Sequence, residues 1–229
     1  MSPTYPVHLV LDGKPVLVVG GGNVALRKVA GLLVSGAAVT VVAPRIRPEL
    51  IDNPGLTTIE RPYQRGEVAS YRLAITCTDD AAVNEQVFRD GETAGVWVNS
   101  ADDPVNCGFT LPAVARQGDL AISISTTGRS PALAMWLRRR FEREFDHNYA
   151  ELLGVLADVR AEARAELGTS EVSGWIEALD AGLLDLVVRG DHEMARNLIR
   201  NRLGLTTPQR EPASPQREPA SPQREAVPS

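Results

Sequence analysis

Residues 16–28 read VLVVGGGNVALRK. A β-branched apolar run, Val16 to Val19, meets three glycines and then a segment with Leu26, Leu32 and Leu33 at helical spacing, so the pattern reads strand, tight turn, helix. Gly20-x-Gly22-x-x-Ala25 fits the G-x-G-x-x-G/A dinucleotide fingerprint. Glycine at Gly20 permits the turn, glycine at Gly22 admits a pyrophosphate close to the backbone, and the small Ala25 lets the helix lie close to the strand. The helix start then offers free N–H donors and a partial positive charge. A second apolar strand, AAVTVVAP (Ala37 to Pro44), follows at the βαβ distance. Strand before, helix after and strand again favour a nucleotide cradle over a plain glycine turn.

One part of the fingerprint is missing. About 20 residues past the glycines, where an Asp or Glu holds the ribose of NAD, the second strand ends in Ala43-Pro44-Arg45. Either Arg45 and Arg47 meet a 2′-phosphate and favour NADP, or they are solvated charges after a strand.

Outward from this turn, RLAITCTDD (Arg72 to Asp80) predicts a third core strand, followed by the helix AAVNEQVFRDGETAG. In open parallel sheets ligands bind outside the carboxyl ends of strands. Thr78 and Asp79 are therefore candidates to touch a cofactor, to cap that helix, or both. A further strand, Val96 to Asn99, ends near Asp102, Asp103 and Pro104; the two carboxylates serve either a turn or catalysis. The strand LAISIST runs into the loop of STTGRSPALAMWLRRRFE, sharing Ser125 and Thr126 with it, and Ser130-Pro131 is a helix start. The polar loop before it, strengthened by Arg129, can hold an anion.

The frame is an α/β fold: a Rossmann-like parallel sheet domain, then a dimerisation segment and a small helical domain. Its expected bounds are 1–112, 113–146, 147–205 and, for a Pro-rich disordered tail of PQREPAS repeats, 206–229. The chain of 229 residues is 43% hydrophobic with a net charge of -5, which gives no general attraction for nucleic acid or anionic membrane. No basic-then-apolar leader opens it and no run approaches the ~18 apolar residues of a membrane span, so a cytoplasmic protein is expected. Cys77 and Cys107 lack zinc or disulfide spacing and read as buried free thiols. His8, His147 and His192 are scattered, and no metal-ligand cluster is expected.

Taken in order, GGGNVALRK, the TDD turn, NSADDPVNCGF and STTGRSP resemble the precorrin-2 dehydrogenases, the N-terminal module of siroheme synthases, over residues 5–165. The resemblance implies NAD on Gly20, Gly22, Asn23 and Val24, with Pro44 and Arg45 near the adenosine and Thr78 and Asp79 completing the cleft; NADP is not excluded. It puts the key aspartate at Asp102, as general base for proton loss from the macrocycle while hydride leaves to the nicotinamide. It sets Ser125, Thr126, Thr127, Gly128, Arg129 and Ser130 against the tetrapyrrole. Thr126 stands where some relatives carry a modified serine. His8, Lys28 and Arg129 are candidate partners for substrate carboxylates. Ferrous iron enters only as the substrate of a chelatase step that some relatives add, and methylation is expected from a separate upstream protein. The family forms homodimers, and apolar stripes through Trp136, Leu137, Phe141, Leu152, Leu153 and Leu156 suit that role. The alternative is a non-catalytic NAD(H)-sensing module, which needs the glycine turn and dimer but neither Asp102 nor the STTGRSP loop.

Overall fold

A computed structural model of the chain describes residues 4–101 and 103–206. Asp102 and the repeats from Thr207 onward lie outside the described residues. The chain forms two compact units, one holding residues up to Ala113 together with Ile124–Ala134, the other Val114–Ser123 and the residues from Met135 on.

In the first unit, five parallel strands stand in the order β3-β2-β1-β4-β5: β1 Pro15–Val19, β2 Ala38–Ala43, β3 Leu56–Glu60, β4 Leu73–Thr76 and β5 Trp97–Ser100. Alternate residues of β1 and β2 face opposite layers, as the pleat requires. Val16, Val18, Val39, Val41 and Ala43 pack with Ala25, Val29 and Leu32 of helix α1 (Asn23–Val34). Leu17, Val19 and Val42 pack with Val68 and with Val87 of helix α3 (Ala81–Ala94). Strand order reverses direction at β1 and β4, so the crevice that takes ligands in such sheets opens beyond their carboxyl ends.

Three strands differ from the sequence expectation. RLAIT is the fourth strand in chain order, because LTTIE forms β3 at the sheet edge; its half-exposed, Thr-rich pattern gives no apolar run to read. The strand LAISI (β7, Leu120–Ile124) pairs with an unforeseen β6, Ala113–Gln117, as a separate two-stranded sheet.

The glycine turn is stapled on three sides. Gly20 N–H donates to Val42 O (2.9 Å), Cys77 N–H to Val19 O (2.7 Å) and Arg47 N–H to Gly21 O (3.0 Å). Gly20 has φ +121°, and a Cβ there would lie 2.6 Å from Cys77 O. A Cβ on Gly21 would lie 2.8 Å from Ile46 Cα and would strike Arg45 O. The short helix α2 (Pro48–Ile51) follows that crossing and buries Leu50 in the same core.

In the second unit, helices α4 (Pro131–Glu144), α5 (His147–Leu167), α6 (Trp175–Asp180), α7 (Leu183–Val188) and α8 (His192–Leu203) follow in chain order, α4 beginning at the end of the first unit. Gly182, at φ +86°, separates α6 from α7. Leu152, Val155, Val159 and Ala163 line one face of α5 and pack with Leu183, Val187, Ala195 and Ile199. Flanking that apolar seam, α5 and α8 run side by side through His192–Glu151 (3.1 Å), Arg196–Asp158 (3.2 Å) and a bidentate Arg200–Glu162 pair (2.8 Å for both bonds). The Arg200 side chain is buried, and its two hydrogen bonds hold the Glu162 carboxyl below its ordinary range.

Two outcomes follow from this packing. Gly21→Ala is expected to cost about 1–3 kcal/mol of stability, read as a lower urea midpoint, since backbone rather than a flexible side chain occupies the space. Arg200→Met is expected to cost about 1–2 kcal/mol at pH 7, a modest figure because Glu162 is 40% exposed and partly screened. Glu162 titrates lower in the folded chain than in the unfolded one, so its contribution is present above the unfolded value and lost as pH falls through the folded one. The deficit of Arg200→Met relative to wild type should therefore shrink in acid, measured by denaturant unfolding at pH 7 and pH 3.5.

Candidate functional site

The carboxyl ends of β1, β2, β4 and β5 position the groups that sequence reading singled out. After β1, Gly22 is the N-cap of α1 with no side chain to cap it, and the first turn carries no acid. Leu26 is the first residue whose N–H reaches back to Gly22 O (3.1 Å). The amides of Asn23, Val24 and Ala25 are the donors that precede this first bond, and a helix start leaves them without intrahelical acceptors. A Cβ on Gly22 would meet nothing within 4 Å. Gly20 and Gly21 are thus demanded by the protein's own backbone, while Gly22 faces open space. That open floor and an uncapped helix N-terminus fit a dinucleotide pyrophosphate.

Pro44 and Arg45 lie exposed after β2, where the chain turns back across Gly21. Arg47 is engaged with Glu49, so of the two arginines only Arg45 is uncommitted among the described residues. After β4, helix α3 is capped by Asp80, whose carboxylate accepts from Ala82 N–H (2.9 Å) and Val83 N–H (3.3 Å), and not by Thr78 or Asp79. The Thr78 hydroxyl lies 2.8 Å from Asn84 Oδ1 and accepts from Asp80 N–H, and Asn84 Nδ2 donates to Thr78 O (3.0 Å). Thr78 therefore stiffens the turn, while Asp79 stands exposed.

The loop after β5 is held by buried polar groups. Thr76 Oγ1 donates to Ser100 Oγ (2.9 Å), linking the ends of β4 and β5. Ala101 N–H donates to Thr76 O (2.9 Å), Asn99 Nδ2 to Phe109 O (2.9 Å) and Gly108 N–H to Val98 O (2.8 Å). The half-buried Cys107 accepts from Ser100 N–H (3.3 Å) and lies within donor reach of Ser100 O (3.3 Å) and Asp103 O (3.2 Å). Burial pushes its thiol up, the Asp103 carboxylate adding to that, against the Ser100 amide and the Lys28 charge. Cys107 is a structural knot rather than a nucleophile. Asp103 caps the 3₁₀ turn Pro104–Asn106, accepting from Val105 N–H (3.3 Å) and Asn106 Nδ2 (2.7 Å). The described neighbours of Asp102 are thus anchored on both sides. Sequence reading missed Cys107 because all its partners but Asp103 sit on the preceding strand, and it missed Asp80 by one residue although an Asp three residues before an apolar helical position is a cap signal.

The loop before α4 folds on itself. Ser125 Oγ accepts from Thr127 N–H (3.2 Å), Thr126 O from Arg129 N–H (3.0 Å) and Thr126 Oγ1 from Ser130 N–H (3.2 Å). Thr127 is left-handed at φ 54° and Gly128 follows at φ 76°. Ser130 Oγ accepts from Leu133 N–H (3.2 Å), the helix start read from Ser130-Pro131. Arg129 is exposed. Among the described residues no group of three His, Cys, Asp or Glu could hold a metal ion, and no helix is long and apolar enough to cross a membrane.

Comparison with known proteins places this geometry. Residues 7–113 match a family described as NAD(P)-binding, and residues 117–144 match one described as sirohaem biosynthesis protein central. The chain is 32% identical to a siroheme synthase of Psychrobacter sp. (strain PRwf-1) over 90% of its length and 43% of that protein. It is 33% identical to a siroheme synthase of Nitrosococcus oceani over 86% of its length and 43% of that protein. The chain thus spans less than half the length of these relatives. Among solved structures it is similar to SirC, a precorrin-2 dehydrogenase, at 27% identity and a TM-score of 0.60, covering 88% of this chain and 98% of that one. The chain thus joins an NAD(P)-binding segment to a sirohaem central segment, and along most of its length it is similar to the siroheme synthases named above and to a precorrin-2 dehydrogenase.

Proposed function

We propose that this chain oxidises precorrin-2 to sirohydrochlorin with NAD⁺ as hydride acceptor. The observation that carries the reading is the open floor at Gly22 beneath an uncapped helix start, on a chain that matches SirC over almost all of that protein. The amides of Asn23 and Val24 bind the pyrophosphate, and Gly20 fixes the turn that aims them. Pro44 and Arg45 border the adenosine side, and Thr78 and Asp79 the other wall. When bound, the nicotinamide supplies the acceptor for hydride.

The rest belongs to this chain's side chains. Asp102 accepts the proton that leaves the macrocycle carbon as the new double bond forms, so one hydride and one proton depart and the product gains one unsaturation. The knot of Thr76, Ser100 and Cys107 fixes the backbone on either side of it. Ser125, Thr126, Thr127, Gly128, Arg129 and Ser130 receive the carboxylate-rich substrate, with amides and the Arg129 charge as donors. Helix α4 leaves Leu133, Met135 and Trp136 half-exposed, and in our reading a second copy covers them in a homodimer. The second unit is a hairpin and helices, so methyl transfer to form the substrate is left outside these residues, and the cytoplasm is the proposed compartment.

Two tests separate the parts. With precorrin-2 generated anaerobically, wild type should form sirohydrochlorin and NADH together, while Asp102→Asn should keep NAD⁺ affinity and lose about 100-fold or more in kcat. Failure of wild type to turn over with either nicotinamide cofactor, while still binding one, would instead favour the NAD(H)-sensing reading. Ferrous iron added after the first reaction reads out chelation in the same cuvette. Gly22→Ala should cost no more than about 1 kcal/mol of stability and weaken NAD⁺ binding about tenfold or more, because its methyl enters the space the pyrophosphate needs.

A further inference from the structure

We propose that Glu60, at the end of edge strand β3, is the carboxylate that binds the adenosine ribose hydroxyls and makes the site select NAD over NADP. The proposal rests on the reading of the glycine turn as a nicotinamide dinucleotide cradle.

In the dinucleotide fingerprint an acid at the end of the second strand accepts both ribose hydroxyls and repels a 2′-phosphate. Here that place is taken by Ala43 and Pro44, which offer no side-chain acceptor. The register of the sheet puts Glu60 directly beside Ala43. Neighbouring strands lie about 4.8 Å apart, and a glutamate reaches one methylene further than an aspartate. The face is right as well. Ile59 packs with Leu17, Val19 and Val42 on the α3 side, while Ala43 packs with Val39, Val41 and Ala25 on the α1 side. The two-residue alternation of the strand therefore sets Glu60 on the face that carries α1 and the glycine turn.

The charges around it leave this carboxylate uncommitted. The guanidinium of Arg61, the next residue, is paired with Glu67 (2.6 Å) and also donates to Pro62 O (3.0 Å). Arg47 is paired with Glu49. Among the described residues Glu60 has no hydrogen-bond or ion-pair partner, and it is exposed at the carboxyl end of the sheet, where dinucleotides bind. An anion there repels a 2′-phosphate and accepts from two adjacent hydroxyls. Arg45, exposed just past Pro44, is the rival determinant and would attract that phosphate.

Calorimetric titration of the full chain with ADP-ribose and with 2′-phospho-ADP-ribose reads this without substrate or turnover. Wild type should bind ADP-ribose about tenfold or more tighter than its 2′-phosphate. Glu60→Gln should weaken ADP-ribose about tenfold and narrow or reverse that preference, with Glu60→Asp intermediate and the thermal midpoint of both variants near wild type. Unchanged affinities in Glu60→Gln, or a wild-type preference for the 2′-phosphate that Arg45→Ala removes, would overturn the assignment while leaving the dinucleotide cradle standing. Binding of neither fragment by wild type would overturn both.

Discussion

The backbone of Arg45 and Ile46 crosses Gly21 so closely that no side chain fits between them. That contact ties the exit of β2 to the turn after β1, and the bond from Arg47 N–H to Gly21 O seals it. Gly20, pressed against Cys77 O, does the same between β1 and β4. Three strand ends are thereby fixed by main chain alone, without a flexible side chain among them. Pre-organisation of this kind favours binding because little further ordering is required when a nucleotide arrives. The one glycine left over, Gly22, is the one whose freedom the protein itself does not use.

A second layer of organisation sits at β4 and β5, and it uses side chains. Thr76 and Ser100 join two strand ends through a buried hydroxyl pair, and Cys107 gathers Ser100 and Asp103 around one sulfur. Buried polar groups of this kind are costly unless each has a partner, and here each does. Under the proposed function the division would suit two tasks of different demand. A pyrophosphate asks only for amides in the right place, whereas moving a proton asks for a loop whose position is held to a fraction of an ångström.

How much of this could be read from residue order depends on whether the cause is local. The glycine turn was legible because strand, turn and helix occupy thirteen consecutive residues, VLVVGGGNVALRK. Helix α3 was legible as the segment AAVNEQVFRDGETAG after a core strand, and α5 from the apolar stripe through Leu152, Leu153 and Leu156. Strand β3 was not, since an edge strand with Thr57 and Glu60 exposed and Thr58 half-buried needs no apolar run. Gly21 is an unspecified position of the fingerprint, and only the chain crossing above it reveals its necessity. Cys107 looked like an ordinary thiol, and its role depends on a loop returning to β5. The Arg200–Glu162 pair joins residues 38 positions apart and has no signature in either helix alone.

The missing acid after β2 and the crossing over Gly21 are two sides of one choice. Proline fixes its own φ near −65° and constrains the residue before it, so Pro44 starts the chain back across the glycine turn at once. In the proposed assignment the acceptor for the ribose comes from the next strand, where β3 ends at Glu60 in register with Ala43. On this argument a tight turn at Pro44 and an acid at Glu60 are coupled. Restoring an acid at position 44 without releasing the crossing would add a second anion beside the first and no second binding mode.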